Sequence, residues 1–160
     1  MSVITAKKDY SEIHGMLFQR GDLHVVVLGC NKCAKLNCTG GEKEVREMKQ
    51  ALSDSNFMLL SADGMVDAAE EGLCDPESVS KILGPLEEYR DRIQILLLAC
   101  GAGLKCVHDL LPEVPIVPGL NTLGPGVKDQ LACISCGDCR FGQKGCRMVQ
   151  VVQTQAERLG

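Results

Sequence analysis

Tryptophan is absent from this 160-residue chain, which has only two tyrosines and three phenylalanines. That scarcity removes the aromatic platform on which a flavin or a nucleobase would stack. Positive charge is also short: 17 Lys and Arg against 21 Asp and Glu leave a net charge of −4. Phosphate binding needs a basic face, so nucleic acid and acidic membrane surfaces are excluded as partners. Long apolar runs are missing too. The longest, residues 93–99, falls well short of the roughly 18 residues a spanning helix requires. No membrane span is expected. The opening residues lack the apolar core of a signal peptide, which sets the expectation of a cytoplasmic protein. No dinucleotide glycine motif, Walker sequence or Ser/His/Asp arrangement occurs. His14, His24 and His108 share no ligand spacing and read as surface or packing residues, and Asp63 reads as a turn residue.

What the chain does have is cysteine, ten in all. Eight fall into two sets. Cys30-x2-Cys33-x4-Cys38 forms the first, completed by the distant Cys100; Cys133-x2-Cys136-x2-Cys139-x6-Cys146 forms the second. In a reducing compartment thiols stay free, which favours metal over disulfide. Thiolates are soft ligands suited to iron–sulfur clusters and to zinc. The consecutive x2 gaps of the second set resemble ferredoxin-type runs, whereas zinc sites typically use two separated Cys-x2-Cys knuckles. Two clusters, each near −2 with its four thiolates, would carry the net charge to about −8. Zinc stays open as the alternative. Cys74 and Cys106 match neither spacing and read as packing residues, although either competes with Cys100 for the fourth position of the first set.

The apolar pattern predicts an α/β fold: a four-stranded, mostly parallel sheet with helices on both faces, Rossmann-like, followed by a cysteine-rich loop segment. Strands are expected at 24–28, 57–60, 93–98 and 114–117, each a short apolar run. Helices are expected at 10–19, from Gly41 onward, at 66–73, 77–89 and 103–111. The alternation implies right-handed crossovers and a strand order of 2-1-3-4. Residues 1–120 form the α/β unit carrying the first cluster, and 121–160 the loop segment carrying the second. Cys30 and Cys100 then end neighbouring strands, at the switch point where a crevice opens. Gly29, Gly40, Gly41, Gly101 and Gly103 would offer N–H groups to cluster sulfides, and the helix from Gly41 would aim its positive end at the cluster.

The runs Val-Val-Leu-Gly-Cys30-Asn-Lys-Cys33, Cys38-Thr-Gly-Gly-Glu-Lys-Glu-Val45, Ala99-Cys100-Gly101 and Cys133-Ile-Ser-Cys136-Gly-Asp-Cys139 with Cys146 carry a family resemblance. In order and spacing they resemble the small iron–sulfur subunit of acetogen-type methylenetetrahydrofolate reductase, the family named for the C-terminal part of that reductase. The resemblance implies two [4Fe-4S] clusters, held by Cys30, Cys33, Cys38 and Cys100 and by Cys133, Cys136, Cys139 and Cys146. It implies a non-catalytic electron-transfer subunit serving a flavin-containing TIM-barrel reductase, with ferredoxin or another electron-donating subunit as the external carrier. Arg147 follows Cys146 where the family usually has proline. A partner in corrinoid-dependent methyl transfer is the alternative to the flavoprotein. A zinc-stabilised interaction module and a thioredoxin-like thiol catalyst are further alternatives; the second needs only Cys30 and Cys33.

Overall fold

Residues 2–61, 63–127 and 132–133 are described by a computed structural model. The centre of the molecule is β4 (Ile93–Leu98), in which every residue is buried. Burying an Ile or Leu side chain stabilises by about 1.5–3 kcal/mol, so this run has nowhere to go except the middle of a sheet covered on both faces. Gln94 is the polar exception. Its Nε2 donates to the Leu17 and Arg20 carbonyls at 3.2 and 2.9 Å, pinning the end of α1 (Tyr10–Phe18) to the sheet.

β4 pairs in parallel with β2 (His24–Cys30), from His24↔Ile93 to Gly29↔Leu98. On its other side lies β5 (Ile116–Pro118), and β3 (Ala68–Ala69) flanks β2. The order β3-β2-β4-β5 is the expected four-stranded parallel sheet with its switch point between β2 and β4. The outer strand differs from expectation. Residues 57–60 pair with β2 through the single Val25↔Leu59 bridge, where Val25 N donates to Met58 O and Leu60 N to Val25 O. The chain then leaves the sheet through Asp63-Gly64, with Gly64 at φ 81°, and returns as β3 where a helix was expected. Gly72, at φ 93°, is incompatible with a helix through 66–73.

Opposite directions of crossover place α3 (Glu42–Asp54) on one face and α4 (Pro76–Leu83) with α5 (Gly101–Leu110) on the other. α1 joins α3, through the Tyr10 hydroxyl bonded to Ala51 O and Ser55 Oγ. The helix expected over 77–89 changes character at Gly84-Pro85 and continues as a 3₁₀ segment, Gly84–Arg92, because proline has no N–H for the α ladder.

A second sheet was not expected. β1 (Ser2–Lys7) pairs antiparallel with β6 (Leu120–Val127), which pairs with β7 (Ala132–Cys133). Residues 120–127 therefore form a strand, not the start of a loop, and the expected boundary after residue 120 falls at the head of that strand.

The loop between α2 (Cys33–Leu36) and α3 crosses the carboxyl ends of β2 and β4 with no room to spare. A Cβ on Gly29 would fall on the Gly40 carbonyl oxygen and lie 2.5 Å from Val45 Cγ2; one on Gly40 would fall on the Leu98 carbonyl oxygen. Cys30 N donates to Gly40 O at 2.8 Å across the same crossing. Gly29→Ala is expected to destabilise the protein by about 1–3 kcal/mol, the usual cost of overpacking, because backbone must move to admit the methyl group. Urea unfolding of the purified variant measures it; an unchanged midpoint would refute the tight crossing.

Candidate metal centre

Cys30 is the last residue of β2 and is buried. Cys100, also buried, is the N-cap of α5, two residues after β4 ends. Since β2 and β4 are neighbouring parallel strands, about 4.8 Å apart, both cysteines stand at the carboxyl ends of the strands that flank the switch point, where their sequence positions put them. Cys33 opens α2 three residues after Cys30 and is half-buried. Cys38 follows that helix in the left-handed region, at φ 53°, and is exposed.

Cys74 lies in the turn between β3 and α4. Asn31 and Lys32, between Cys30 and Cys33, hold its approach: Asn31 N donates to Ala69 O, Asn31 Nδ2 to Glu70, and Lys32 pairs with Glu71 at 3.2 Å. Gly72 then passes so close that a Cβ there would meet Lys32 Cγ at 3.0 Å and Cys74 Sγ at 3.7 Å. Leu73 is buried against Gly103 in the first turn of α5. Asp75, the next residue, caps α4 by accepting from Ser78 N at 2.8 Å. Cys74 is thus held from both sides. Although the residue is exposed, burial of part of its thiol raises the pKa, and the charges of Cys100, then Cys30, and more weakly Cys33, raise it further. Cys106, on α5, has different company: after burial, Asp109 and Asp75 raise its thiol, and no cysteine contributes.

The glycine N–H groups expected to face a cluster are largely engaged elsewhere. Gly41 N donates to the Glu44 carboxylate at 2.9 Å, so the N-terminus of α3 is capped by its own third residue. Gly29 N donates to Asp67 O and Gly40 N to Ala34 O. Gly101 N donates to Thr122 Oγ1 at 2.8 Å, which ties the Cys100 end of α5 to β6. The expectations for His14 and His108 agree with the structure: His14 stacks on Phe18 and meets Phe57 edge-on, and His108 is exposed.

Among the described residues, no three His, Cys, Asp or Glu side chains converge closely enough to hold a single metal ion. A tetrahedral zinc site needs all its sulfurs about 2.3 Å from one point, whereas a cubane cluster accepts its thiolates at separate, wider corners. Of the second set, the Cys133 backbone pairs with Gly126 in β7; Cys136, Cys139 and Cys146 lie outside the described residues. Thr122 and Gly126 are four residues apart on β6, about 13 Å, so one strand spans from the Cys100 end of α5 to the start of the second set. No helix among the described residues is long and apolar enough to cross a membrane.

Asp75 fixes Cys74 through its cap, and Ser78 N holds its carboxyl below the ordinary value. A depressed folded-state pKa stabilises above the unfolded value and is lost as pH falls through the folded one. Asp75→Ala is therefore expected to be less stable than the wild type at neutral pH, with the gap closing below about pH 4. Urea unfolding across pH tests this, and a gap that persists at low pH would contradict it. No protein-family model, characterised protein or solved structure matches the chain.

Proposed function

We propose that this chain is an iron–sulfur electron-transfer protein with two [4Fe-4S] clusters, not a catalyst on its own. The observation that carries the reading is the burial of Cys30 and Cys100 at the ends of adjacent parallel strands, with Cys33 beside them. Cys38 completes the spaced trio with Cys30 and Cys33, Cys100 takes the fourth place, and Cys133, Cys136, Cys139 and Cys146 are the ligands of the second cluster. When bound, such clusters exchange single electrons at a potential set by burial, charge and hydrogen bonding. The chain's own contribution is to hold soft donors on rigid strand and helix ends and to limit water at the inner side, where Cys30 and Cys100 are buried. β6 supports a relay, since it links the Cys100 end of α5 to the strand that begins the second set. The motif resemblance extends the reading to a flavin-containing methylenetetrahydrofolate reductase as partner, with ferredoxin or a similar carrier on the other side.

Protein purified without oxygen is expected to be brown, with broad absorption near 400 nm and about eight irons per chain. Cys100→Ala and Cys139→Ala should each remove about half of that iron, through different clusters. A colourless protein holding two zincs would replace this reading with a zinc-stabilised interaction module.

A further inference from the structure

A cavity of about 150 Å³ opens at the carboxyl edge of the parallel sheet, where the end of β4 meets β1, α1 and the first turns of α3. Open α/β sheets bind their ligands along this edge. Ile13, Met48, Ala51, Leu98 and Leu120 make the walls largely apolar. The space suits one benzene-sized group and is well below the roughly 300 Å³ at which pockets for drug-sized molecules begin. Whatever it holds is small.

Four charged side chains also line it, and two are already paired. Lys8 holds Glu12 at 2.7 Å, and the exposed Glu47 lies 3.8 Å from Lys43. Glu44 differs. It is only 8% exposed, and its Oε2 accepts from Gly41 N at 2.9 Å. Its other oxygen has no partner among the described residues. Gln94 Oε1 is the one side-chain atom among them that is both unpartnered and sealed in, so Glu44 Oε1 opens onto the cavity. A carboxylate so covered is costly unless a cation or an N–H donor meets it. Lys7 is the remaining charge. It is half-buried, forms no ion pair among the described residues, and shares a face of β1 with Thr5, whose hydroxyl meets that of Thr39 in the cavity wall at 2.6 Å.

We infer that this cavity binds a free α-amino acid with a short apolar side chain, its ammonium donating to Glu44 and its carboxylate accepting from Lys7. One unpaired anion and one unpaired cation around apolar walls match a zwitterion with an apolar body. An amine alone would leave Lys7 unmet, and a short fatty acid would leave Glu44 unmet. No cysteine takes part, so the site stands apart from the iron–sulfur reading.

Isothermal titration calorimetry on the full chain, purified without oxygen, tests this with L-leucine, isoamylamine and isocaproate. The last two keep leucine's apolar body and each lose one charged group. Leucine is expected to bind at least about tenfold tighter than either, the worth of one charge-assisted hydrogen bond. Glu44→Gln keeps the Gly41 cap through its amide oxygen and should erase the preference over isocaproate. Lys7→Gln should erase the preference over isoamylamine. Ala51→Leu, which fills the cavity, should abolish binding of all three. No leucine binding at millimolar concentration overturns the inference, as does an amine or acid that binds as tightly as leucine. Leucine binding left unchanged by both Glu44→Gln and Ala51→Leu overturns it too. The three ligands are compared on the wild type, so the result stands even where a variant fails to fold.

Discussion

Two glycines let three backbone segments meet at one point, beside the switch point of the parallel sheet. At the carboxyl ends of β2 and β4, Gly29, Gly40 and Leu98 approach so closely that no side chain fits at either glycine. The Cys30–Gly40 hydrogen bond closes that contact. With the loop drawn in, Cys30 is covered, and Thr39 is buried where it meets β1. Without the close approach the loop would ride higher, and the ends of β2 and β4 would face solvent.

Around this pinch, the protein meets its own polar needs with short local contacts. Glu44 caps Gly41, Asp75 caps Ser78, Asn31 bridges Glu42 and Glu70, and Thr122 takes the Gly101 amide. Each satisfies a group that would otherwise be left unpaired at a helix end or loop. The consequence for the thiols is that they are positioned by segments already committed elsewhere. Cys74 sits between a buried leucine and a helix cap, and Cys100 is itself a cap. Little backbone freedom remains at either cysteine.

Much of the parallel sheet could be read from local pattern. The runs 24–28 and 93–98 are continuous and apolar, which only a doubly covered strand explains, and Cys30 and Cys100 follow from their ends. Helices α1 and α3 carry a helical period and were equally legible. β3 was not, because two alanines have no strand signal and the helix-like spacing of 66–73 misleads until Gly72 is given its left-handed angle. β1 and β6 were hidden for a different reason. Their pairing joins residues 2–7 to 120–126, and a Gly- and Pro-containing stretch gives no local sign that a partner waits at the other end. The position of Cys74 depends on that same tertiary detail, since no spacing links it to the other thiols. The expectation that Gly41 would face a cluster missed the glutamate three residues along, a capping pattern visible in the sequence itself.

The β1–β6 ribbon carries a consequence for biosynthesis. Strand β1 leaves the ribosome first, yet its partner is the last long strand described, so the two cannot zip together until residue 126 has emerged. Throughout that interval the parallel sheet can assemble while Thr39 lacks Thr5 and Gly101 lacks Thr122. Among the described elements, the rim over the cysteines is thus the last to be fastened down.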